Sequence, residues 1–380
     1  MNKPKILLLT LHTFSLTGGI EKVSKILAKV LHDGIKSKEI DSESIKVLSL
    51  CDLHKDVDVR YCNKGNFRGY GYNRARFSLM AIANGLNSDI IILSHINLLT
   101  IAYFVKLVKK KTRIIILAHG IEVWRNISPW KRFFLNKHIE IWAVSEFTSN
   151  VLQEKHHIKK SKIQVLNNCL DPYLEVPSVF KKPQYLTDRY QLKENQPALL
   201  TISRLSSSEL YKGYDLIIGA MPKLLEKYPN LVYILGGKAD ESEKIRLTKL
   251  IAKNNLQQHV RLADYIPDEE LIDHFLLADV FVMPSKKEGF GIVFIEAVAC
   301  GCPVIAGNLD GSKDALLNGE LGILINPEST GELIAAIDKV ITQGKSEAHS
   351  LSLQQKCLSH FSYEQYKEKV LGLLNPNQRA

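Results

Sequence analysis

The sequence lacks the cysteine pairs that bind zinc or form redox-active disulfides. Its six cysteines include no C-x-x-C pair, and the one close pair, Cys300 and Cys302, has no distant pair to complete a zinc site. The pattern excludes zinc-ribbon and thioredoxin-like motifs and predicts reduced, buried thiols in a cytosolic protein. A long apolar run is also missing. The most apolar window, residues 90–108, is interrupted by Ser94, His95, Asn97 and Lys106 and predicts a buried strand followed by a helix, not a membrane span.

A secretion signal is absent as well. The apolar run near the N-terminus ends by Leu11, and no small-residue cleavage site follows it, so we expect a cytoplasmic protein. The 380 residues are enough for two domains, and a content of 45% hydrophobic and 24% charged residues is typical of a soluble globular enzyme.

Acidic residues are scarce in the first half. Residues 1–180 contain 27 Lys and Arg against 15 Asp and Glu, a net charge of +12, while the remainder has 23 against 25. Arg68, Arg74 and Arg76 lie in one polar stretch, and residues 130–134 combine two basic with three aromatic side chains. Such a surface is typical of contact with an anionic membrane or with nucleic acid, and plain solvation is the alternative. We favour an anionic membrane surface or acceptor and expect no nucleic-acid partner.

Apolar segments of strand length alternate with helical segments in the first half. This alternation predicts right-handed βαβ units and a parallel sheet covered by helices on both faces. The predicted strands are residues 5–11, 45–50, 89–94, 113–118, 140–144 and 162–166.

The alternation stops at residues 176–196, which contain prolines and lysines but no long apolar run and are therefore predicted to be a linker. A second series of strands follows, with helices between them and a separate tail helix at residues 363–374. We therefore predict an α/β protein with two Rossmann-like domains in tandem and a cleft between them. The second series of strands is residues 198–202, 231–235, 260–262, 280–283, 303–306 and 322–325.

The most informative motif is Glu288-Gly289-Phe290-Gly291, followed by Glu296 inside an apolar segment. If the segment is a helix, backbone N–H groups of the loop and of the helix N-terminus converge on one point, which suits a phosphate. Ionised carboxylates accept hydrogen bonds only and therefore suit hydroxyl groups. A phosphate together with many hydroxyls describes a nucleotide sugar.

Other polar and glycine residues fall at the ends of predicted strands, where open α/β sheets bind ligands. Each alone has a plain alternative: a tight turn for glycine pairs, a structural role for histidine, a surface ion pair for Arg or Lys. Their recurrence at successive strand ends is harder to explain by packing. The segments are Gly18-Gly19, His119-Gly120, Arg204, Lys212 and Gly236-Gly237.

Together these segments resemble the retaining GT-B glycosyltransferases of glycosyltransferase family 4, also described as glycosyl transferases group 1. The resemblance spans nearly the whole chain, and the Glu-x7-Glu stretch with its flanks is its most specific part. It implies a GT-B fold, in which two Rossmann-like domains face each other across a cleft. Residues 1–180 would bind the acceptor, residues 195–360 the nucleotide sugar, and residues 361–380 would form a tail helix that crosses back to the first domain.

The resemblance also implies catalytic roles for Arg204, Lys212, Glu288 and His119. In such enzymes the two cations grip the donor diphosphate and stabilise the leaving nucleotide as charge develops. Glu288 holds hydroxyls of the transferred sugar, and His119 lies over that sugar as an orienting hydrogen-bond partner.

A wider set of residues is implied to bind the donor, with Glu296 accepting from the ribose hydroxyls and residues 265–266 lining the base. No Asp-x-Asp pair stands at a strand end, since Asp56-Val57-Asp58 lies in a polar loop. Because two cations can replace a metal at the diphosphate, we expect metal-independent chemistry and no cofactor besides the donor. The implied donor-binding residues are Gly18, Gly19, Gly236, Tyr265, Ile266, Phe290, Gly291, Ile292 and Glu296.

The function implied is transfer of a hexose from a UDP- or GDP-linked sugar to a hydroxyl of a glycan or lipid-linked acceptor, in bacterial cell-envelope or exopolysaccharide synthesis. The sequence does not place a carboxylate nucleophile on the far face of the sugar. The resemblance implies retention by a front-face mechanism, in which the leaving phosphate helps to deprotonate the acceptor. The alternatives are another GT-B enzyme, such as a nucleotide-sugar epimerase or a phosphorylase, and a non-enzymatic membrane-associated module. Peripheral association with the cytoplasmic face of the membrane is a further expectation.

Three departures from the family pattern stand out. Asn167-Asn168 replaces an Asn-Gly turn, a polar insert occupies residues 206–209, and residues 308–312, Asn-Leu-Asp-Gly-Ser, replace a Gly-Gly turn. The last of these affects details of donor binding and leaves the predicted fold unchanged.

Overall fold

The computed structural model of the protein describes residues 4–37 and 45–374. The chain divides into two units of parallel sheet and helix. The first unit takes its residues from Met1–Pro172 and Tyr363–Ala380, and the second is Tyr173–Ser362. Each unit is built around its own sheet, as the alternation of strands and helices predicts.

The first unit contains a seven-stranded parallel sheet in the order β3-β2-β1-β4-β5-β6-β7. The interior strand β1 pairs with β2 through Leu8 and Val47 and with β4 through Leu8 and Ile92. These strands are rich in Ile, Leu and Val and are almost wholly buried, because helices cover both faces of the sheet. The strands are β1 (Ile6–Thr10), β2 (Ile45–Ser49), β3 (Phe67–Gly69), β4 (Ile90–Leu93), β5 (Arg113–Ala118), β6 (Ile139–Ala143) and β7 (Ile163–Val165).

Helices connect these strands and form a core with the sheet, in which Leu93 and Ile116 lie with Leu99 and Phe134. The helices of the first unit are α1 (Gly19–Lys36), α2 (Arg74–Leu86), α3 (Leu99–Val108), α4 (Ile121–Trp124), α5 (Pro129–His138) and α6 (Glu146–His156), with α15 (Tyr363–Leu374) from the end of the chain.

The second unit contains a six-stranded parallel sheet in the order β10-β9-β8-β11-β12-β13. Its strands are β8 (Ala198–Ile202), β9 (Val232–Gly236), β10 (Val260–Leu262), β11 (Val280–Met283), β12 (Val304–Gly307) and β13 (Ile323–Ile325). Its helices are α7 (Gln184–Arg189), α8 (Tyr214–Lys227), α9 (Glu241–Lys253), α10 (Asp268–Leu277), α11 (Ile292–Ala299), α12 (Ser312–Ala315), α13 (Thr330–Gln343) and α14 (Glu347–Phe361).

The predicted fold class is confirmed, because both units are Rossmann-like α/β domains with parallel sheets. The prediction of a linker at residues 176–196 is wrong. This stretch belongs to the second unit and contains α7, whose Leu186 is fully buried. Lys182 lies 2.7 Å from the Asp279 carboxylate and fixes the segment to the start of β11.

The tail helix α15 belongs to the first unit and packs against α1. The Tyr363 hydroxyl donates to Asp33 at 2.8 Å, and Arg113 donates to the carbonyl groups of Leu373 and Leu374. Of the predicted tail segment 361–380, residues 375–380 lie outside the described residues.

The predicted boundary at residue 180 differs from the division at Pro172, since residues 173–194 fall in the second unit. Within residues 4–37 and 45–374, no helix combines the length and the apolar character needed to cross a membrane. The six cysteines are free thiols, and five of them are buried.

Candidate active site

In the second unit, the segment after β8 brings Lys212 to Glu288. The chain leaves β8, passes Arg204 and forms a short 3-10 helix, Ser207–Lys212, from the insert that the sequence marks as polar. Lys212 Nζ forms an ion pair with Glu288 Oε1, and 16% and 13% of the two side chains are exposed. Residues 76 positions apart in sequence therefore form one partly buried pair of opposite charges.

The pair keeps Lys212 cationic. Burial alone lowers the pKa of Lys212, but the Glu288 carboxylate opposes this and raises that pKa above its ordinary value. Arg204 adds a second cation on the same segment. Its side chain is 65% exposed, and its guanidinium donates to Glu209 Oε1 at 3.1 Å. The two cations can bind the oxygens of a diphosphate, Arg with its planar fork and Lys as a point charge.

The loop that carries Glu288 is anchored by a hydrogen bond to Asp310. This carboxyl group is fully buried and accepts hydrogen bonds from the backbone N–H of Glu288 at 2.7 Å and of Ser312 at 2.9 Å. Burial raises the pKa of Asp310 to about 6, although the hydrogen bonds oppose the shift. The segment 308–312, which departs from the family pattern, therefore positions the Glu288 loop.

The loop leads directly into α11. Gly291 is the N-cap residue with φ of 86°, a left-handed conformation that favours glycine, and a Cβ there would lie 2.4 Å from the Phe294 ring. Phe290 is buried against Phe361, which fixes the turn. Ile292 begins the helix, and Glu296, 3% exposed, follows one turn later. The predicted order of loop, helix N-terminus and carboxylate is present.

Elsewhere in the second unit, the end of β9 at Gly236 contacts the segment after β10 that is predicted to line the base. A Cβ at Gly236 would lie 2.4 Å from Ile266 Cδ1, so the absence of a side chain lets Ile266 pack over the end of β9. Ile266 is buried, while Tyr265 is 54% exposed and available for stacking.

In the first unit, Gly18 and Gly19 stand at the start of α1, at the carboxyl end of β1. A Cβ at Gly19 would meet no atom within 4 Å, so the backbone is open at this point. The preceding loop is fixed by Asp52, which is fully buried and accepts from the backbone N–H of Thr13 at 2.7 Å and of Ser15 at 3.0 Å. The helix N-terminus is therefore presented on an anchored loop.

His119 follows β5, and both its ring and its backbone N–H form hydrogen bonds. Its Nε2 lies 3.0 Å from the carbonyl oxygen of Ser94, and since a carbonyl only accepts, Nε2 carries the proton. Burial lowers the pKa of His119 to about 4, so the ring is neutral and Nδ1 keeps a lone pair. The Glu21 carboxylate in the first turn of α1 opposes this lowering of the His119 pKa.

The backbone around His119 is also bound by a carboxylate. Glu122 accepts from the N–H groups of His119 at 2.6 Å and of Gly120 at 3.2 Å, and burial raises its pKa. Asp52, Glu122 and Asp310 thus share one task, since each anchors a loop that carries predicted site residues. The sequence predictions omit all three. The sequence signal that could have revealed these three residues is an acidic side chain shortly after the end of a predicted strand.

The polar loop with Asp56 and Asp58 uses its carboxylates locally. Asp58 pairs with Arg60 at 2.7 Å, and Asp56 accepts from the Leu53 N–H at 2.7 Å. In the described part of the chain, no group of three or more His, Cys, Asp or Glu side chains is arranged to hold a metal ion.

A basic depression of about 570 Å³ opens in the first unit beside β2, β3 and α2. Its cationic lining includes Arg68 and Arg76, two of the arginines singled out in the sequence, together with Lys46 and Lys64. The depression therefore suits an anionic group.

Residues 186–354 match the family model described as Glycosyl transferases group 1. Over 279 residues the chain is 27% identical to the GDP-mannose-dependent alpha-(1-6)-phosphatidylinositol monomannoside mannosyltransferase of Mycolicibacterium smegmatis, covering 70% of this chain and 71% of the relative. Over 259 residues it is 28% identical to a glycogen synthase of Mycobacterium tuberculosis, covering 65% and 59% respectively.

Solved structures share the fold along nearly the whole chain. HepE of Anabaena in complex with UDP superposes with a TM-score of 0.77 at 18% identity and covers 97% of this chain and 99% of its own. A glycosyltransferase of Rickettsia africae gives a TM-score of 0.78 at 20% identity and covers 98% of both chains.

Proposed function

We propose that this chain is a nucleotide-sugar-dependent glycosyltransferase of the GT-B type that moves a hexose from a UDP- or GDP-linked donor to a hydroxyl group. Residues 186–354 match the glycosyl transferases group 1. The acceptor is a glycan or a lipid-linked molecule, and the transfer proceeds with retention of configuration. The reaction requires no metal ion.

The partly buried ion pair of Lys212 with Glu288 is the observation that carries this proposal. In the absence of a donor, each side chain neutralises the other. A nucleotide sugar offers both a better partner, because its diphosphate can take Lys212 and its sugar hydroxyls can donate to Glu288. When the donor binds, Lys212 therefore contacts the leaving diphosphate and Glu288 contacts the transferred sugar. Lys212 and Arg204 then stabilise the negative charge that develops on the leaving group.

The first unit contributes the neutral ring of His119. With Nε2–H committed to the Ser94 carbonyl group, Nδ1 is an acceptor for a hydroxyl of the sugar. A neutral imidazole suits a sugar hydroxyl better than a phosphate, so we assign His119 an orienting role and leave the phosphate charge to the two cations of the second unit.

An acceptor held at a membrane agrees with two observations. The first unit is strongly basic and contains the depression lined by Arg68 and Arg76. The mycobacterial relative is named for a phosphatidylinositol-linked acceptor, and the glycogen synthase for a glycan. Both acceptor classes therefore belong in the assay, and the role we propose is in cell-envelope or exopolysaccharide synthesis.

The first experiment is isothermal calorimetry of the purified chain with UDP-, GDP- and ADP-linked hexoses in the presence of EDTA. We expect saturable binding of one of them. Lys212→Ala is expected to weaken it by about tenfold to a hundredfold, since a charge-assisted contact to a phosphate contributes about 1.5–3 kcal/mol. Anomeric analysis of the product by NMR then tests retention.

Arg189→Ala is the matched control, because Arg189 also lies in the second unit and pairs with a carboxylate, Glu270, at 2.6 Å. It should leave donor binding unchanged. Equal affinity of Lys212→Ala and the wild type for every donor would contradict the assigned role, and a strict requirement for a divalent ion would refute the metal-independent mechanism.

A further inference from the structure

The outer faces of α3 and α5 carry a cluster of large apolar side chains that the proposed chemistry does not use. Their exposed fractions are high, with 49% for Phe104, 63% for Phe133 and 73% for Val108. We call this cluster the aromatic patch; it consists of Tyr103, Phe104, Leu107 and Val108 on α3 with Trp130 and Phe133 on α5.

The aromatic patch is one continuous surface, because Tyr103 joins the two helices. Its ring centroid lies 6.0 Å from that of Trp130 and 5.6 Å from that of Phe134, in edge-to-face arrangements. Phe134 is buried and anchors the contact in the core of the first unit. The exposed rings therefore stand on a fixed base and are not loose side chains on a mobile loop.

Positive charge surrounds the aromatic patch. Residues 89–140 contain nine Lys and Arg against three acidic residues. Asp89 pairs with Lys109 and Glu140 with Arg113, while Glu122 is occupied by N–H groups of the backbone after β5. Lys131 Nζ lies 5.8 Å from the centre of the Trp130 ring, and Lys137 Nζ lies 5.3 Å from that of Phe133.

Groups packed from other elements add to this field. Burial lowers the pKa of His138 at the end of α5, and the positive charges of Lys106, Lys137 and Lys162 lower it further. Lys110 and Lys111 follow α3 directly and are exposed beside Val108. The surface thus combines apolar rings at its centre with cations at its rim.

We propose that the aromatic patch docks on the surface of a lipid bilayer that contains anionic lipids. Trp, Tyr and Phe partition into the interface between headgroups and acyl chains, while lysines keep their charge at the level of anionic headgroups. The inference rests on the proposed function, in which a lipid-linked acceptor has to be reached at a membrane, and it names the surface that makes the contact.

A second copy of the chain fits this surface less well. In a symmetric contact the same patch meets itself, so the lysines at its rim would face equal charges. An anionic bilayer satisfies the rings and the lysines together, because the lysines at the rim are attracted to the anionic headgroups. The charge of the patch therefore selects the bilayer as its partner.

The test is sedimentation of the full chain with vesicles of phosphatidylglycerol and phosphatidylcholine in equal parts, and with vesicles of phosphatidylcholine alone. We expect binding to the anionic vesicles only. Phe104→Ser with Phe133→Ser should weaken it by about tenfold or more through lost apolar burial. Lys110→Glu with Lys111→Glu should weaken it at least as much and reduce its dependence on salt.

The matched controls lie in the second unit. Lys249→Glu with Lys253→Glu makes the same change in net charge on α9, and Leu351→Ser removes an exposed apolar side chain from α14. These variants should bind vesicles like the wild type. Circular dichroism of every variant checks that the fold is kept.

Unchanged vesicle binding by folded aromatic-patch variants would overturn the inference. So would a wild type that does not bind vesicles but forms a dimer in sedimentation equilibrium, if the same variants dissociate that dimer. Calorimetry with nucleotide sugars in the absence of lipid separates this inference from the proposed function. If the wild type binds a donor but no vesicles, the docking surface alone is overturned. If the wild type binds vesicles, the patch variants do not, and no donor binds, the docking surface is supported and the proposed function is overturned.

Discussion

Asp310 accepts two backbone hydrogen bonds while fully buried, which makes the Glu288 loop sensitive to its ionisation. Its pKa is raised to about 6 in the folded chain, above the value of about 3.9 for an unperturbed Asp. A carboxyl group with a raised folded-state pKa favours folding fully below the unfolded pKa, and this contribution is lost as pH rises through the folded pKa. For Asp310 the window runs from about pH 4 to 6.

We therefore expect Asp310→Asn to flatten part of the pH dependence of stability. Between about pH 4 and 7 the wild type should lose about 3 kcal/mol of unfolding free energy through this group, a loss that the variant does not suffer. Urea unfolding of the second unit at several pH values measures the difference in slope. The exposed Asp338, whose pKa is lowered by Lys227, is the control, since Asp338→Asn should act only at more acidic pH. Parallel slopes for Asp310→Asn and the wild type would contradict the expectation.

Single residues of the site differ in how far the sequence reveals them. Lys212 and Glu288 are predicted because motif and strand end coincide, and the structure brings them together. Asp52 and Asp310 are missed because their role is to accept from backbone N–H groups, and which N–H groups are left unpaired depends on loop conformations that no local pattern records. The roles of the predicted residues in donor binding stay predictions.

Among the structural elements, the turn after β9 depends most strictly on glycine. Gly237 has φ of 145°, and a Cβ there would lie 1.7 Å from the Ser203 carbonyl oxygen, so neither conformation nor space permits a side chain. We expect Gly237→Ala to cost more than about 3 kcal/mol of unfolding free energy. Chemical denaturation provides the measurement.

Gly219, inside α8, is the matched control for Gly237. A Cβ at Gly219 would meet no atom within 4 Å, so Gly219→Ala should stabilise the helix by up to about 1 kcal/mol. If the two variants had similar stability, the close approach of Gly237 to Ser203 would be refuted.

The helix α15 is fixed to α1 by a polar contact. Asp33 accepts from Tyr363 at 2.8 Å and from Lys29 at 2.6 Å; burial raises the pKa of Asp33, but these partners lower it below its usual value. Tyr363→Phe should cost about 1–2 kcal/mol of unfolding free energy at pH 7. Because a lowered folded-state pKa favours folding above the unfolded value, the cost should shrink as pH falls below about 4.

Thermal unfolding at several pH values measures the effect of Tyr363→Phe. Tyr228→Phe is the control in the second unit, where the hydroxyl donates to Asp338 at 2.6 Å in a partly buried position. It should cost less, because this site is more exposed than that of Tyr363. An equal cost at pH 3 and pH 7 for Tyr363→Phe would contradict the role assigned to Asp33.

The sequence predicts elements well where many apolar residues define them and poorly where few do. The tail helix and α10 are predicted with the observed bounds. Strand β3 is missed, because it has three residues and an exposed Arg68 at its centre. Helix α7 is missed because Leu186 is its single buried residue, too little for a periodic pattern.

At the scale of the whole molecule, the two sheets repeat one plan. In each, the first strand of the unit lies in the interior, and the order changes direction between it and a later neighbour, β4 in one sheet and β11 in the other. Such switch points bind ligands in open α/β sheets. Alternation of strands and helices predicts the parallel sheets, but strand order depends on contacts between distant segments and does not follow from it.

Removal of α15 separates the contributions of the two units. A chain that ends at Ser362 keeps every residue of the second unit, so we expect donor binding to remain within about threefold of the wild type by calorimetry. Transfer to an acceptor should fall by more than about tenfold, since the first unit loses the helix that buries Val370 and Leu371. Undiminished transfer by the shortened chain would show that α15 is dispensable.

The order of the chain has a consequence for how the protein is made. The first unit starts at the beginning of the chain but takes its last helix from residues 363–374, with the whole second unit encoded between. On a ribosome, the surface of α1 that α15 covers therefore stays open while the intervening residues are added, on the order of ten seconds or more. During that interval the second unit can already fold, while the first waits with an uncovered apolar face that makes it a client for chaperones.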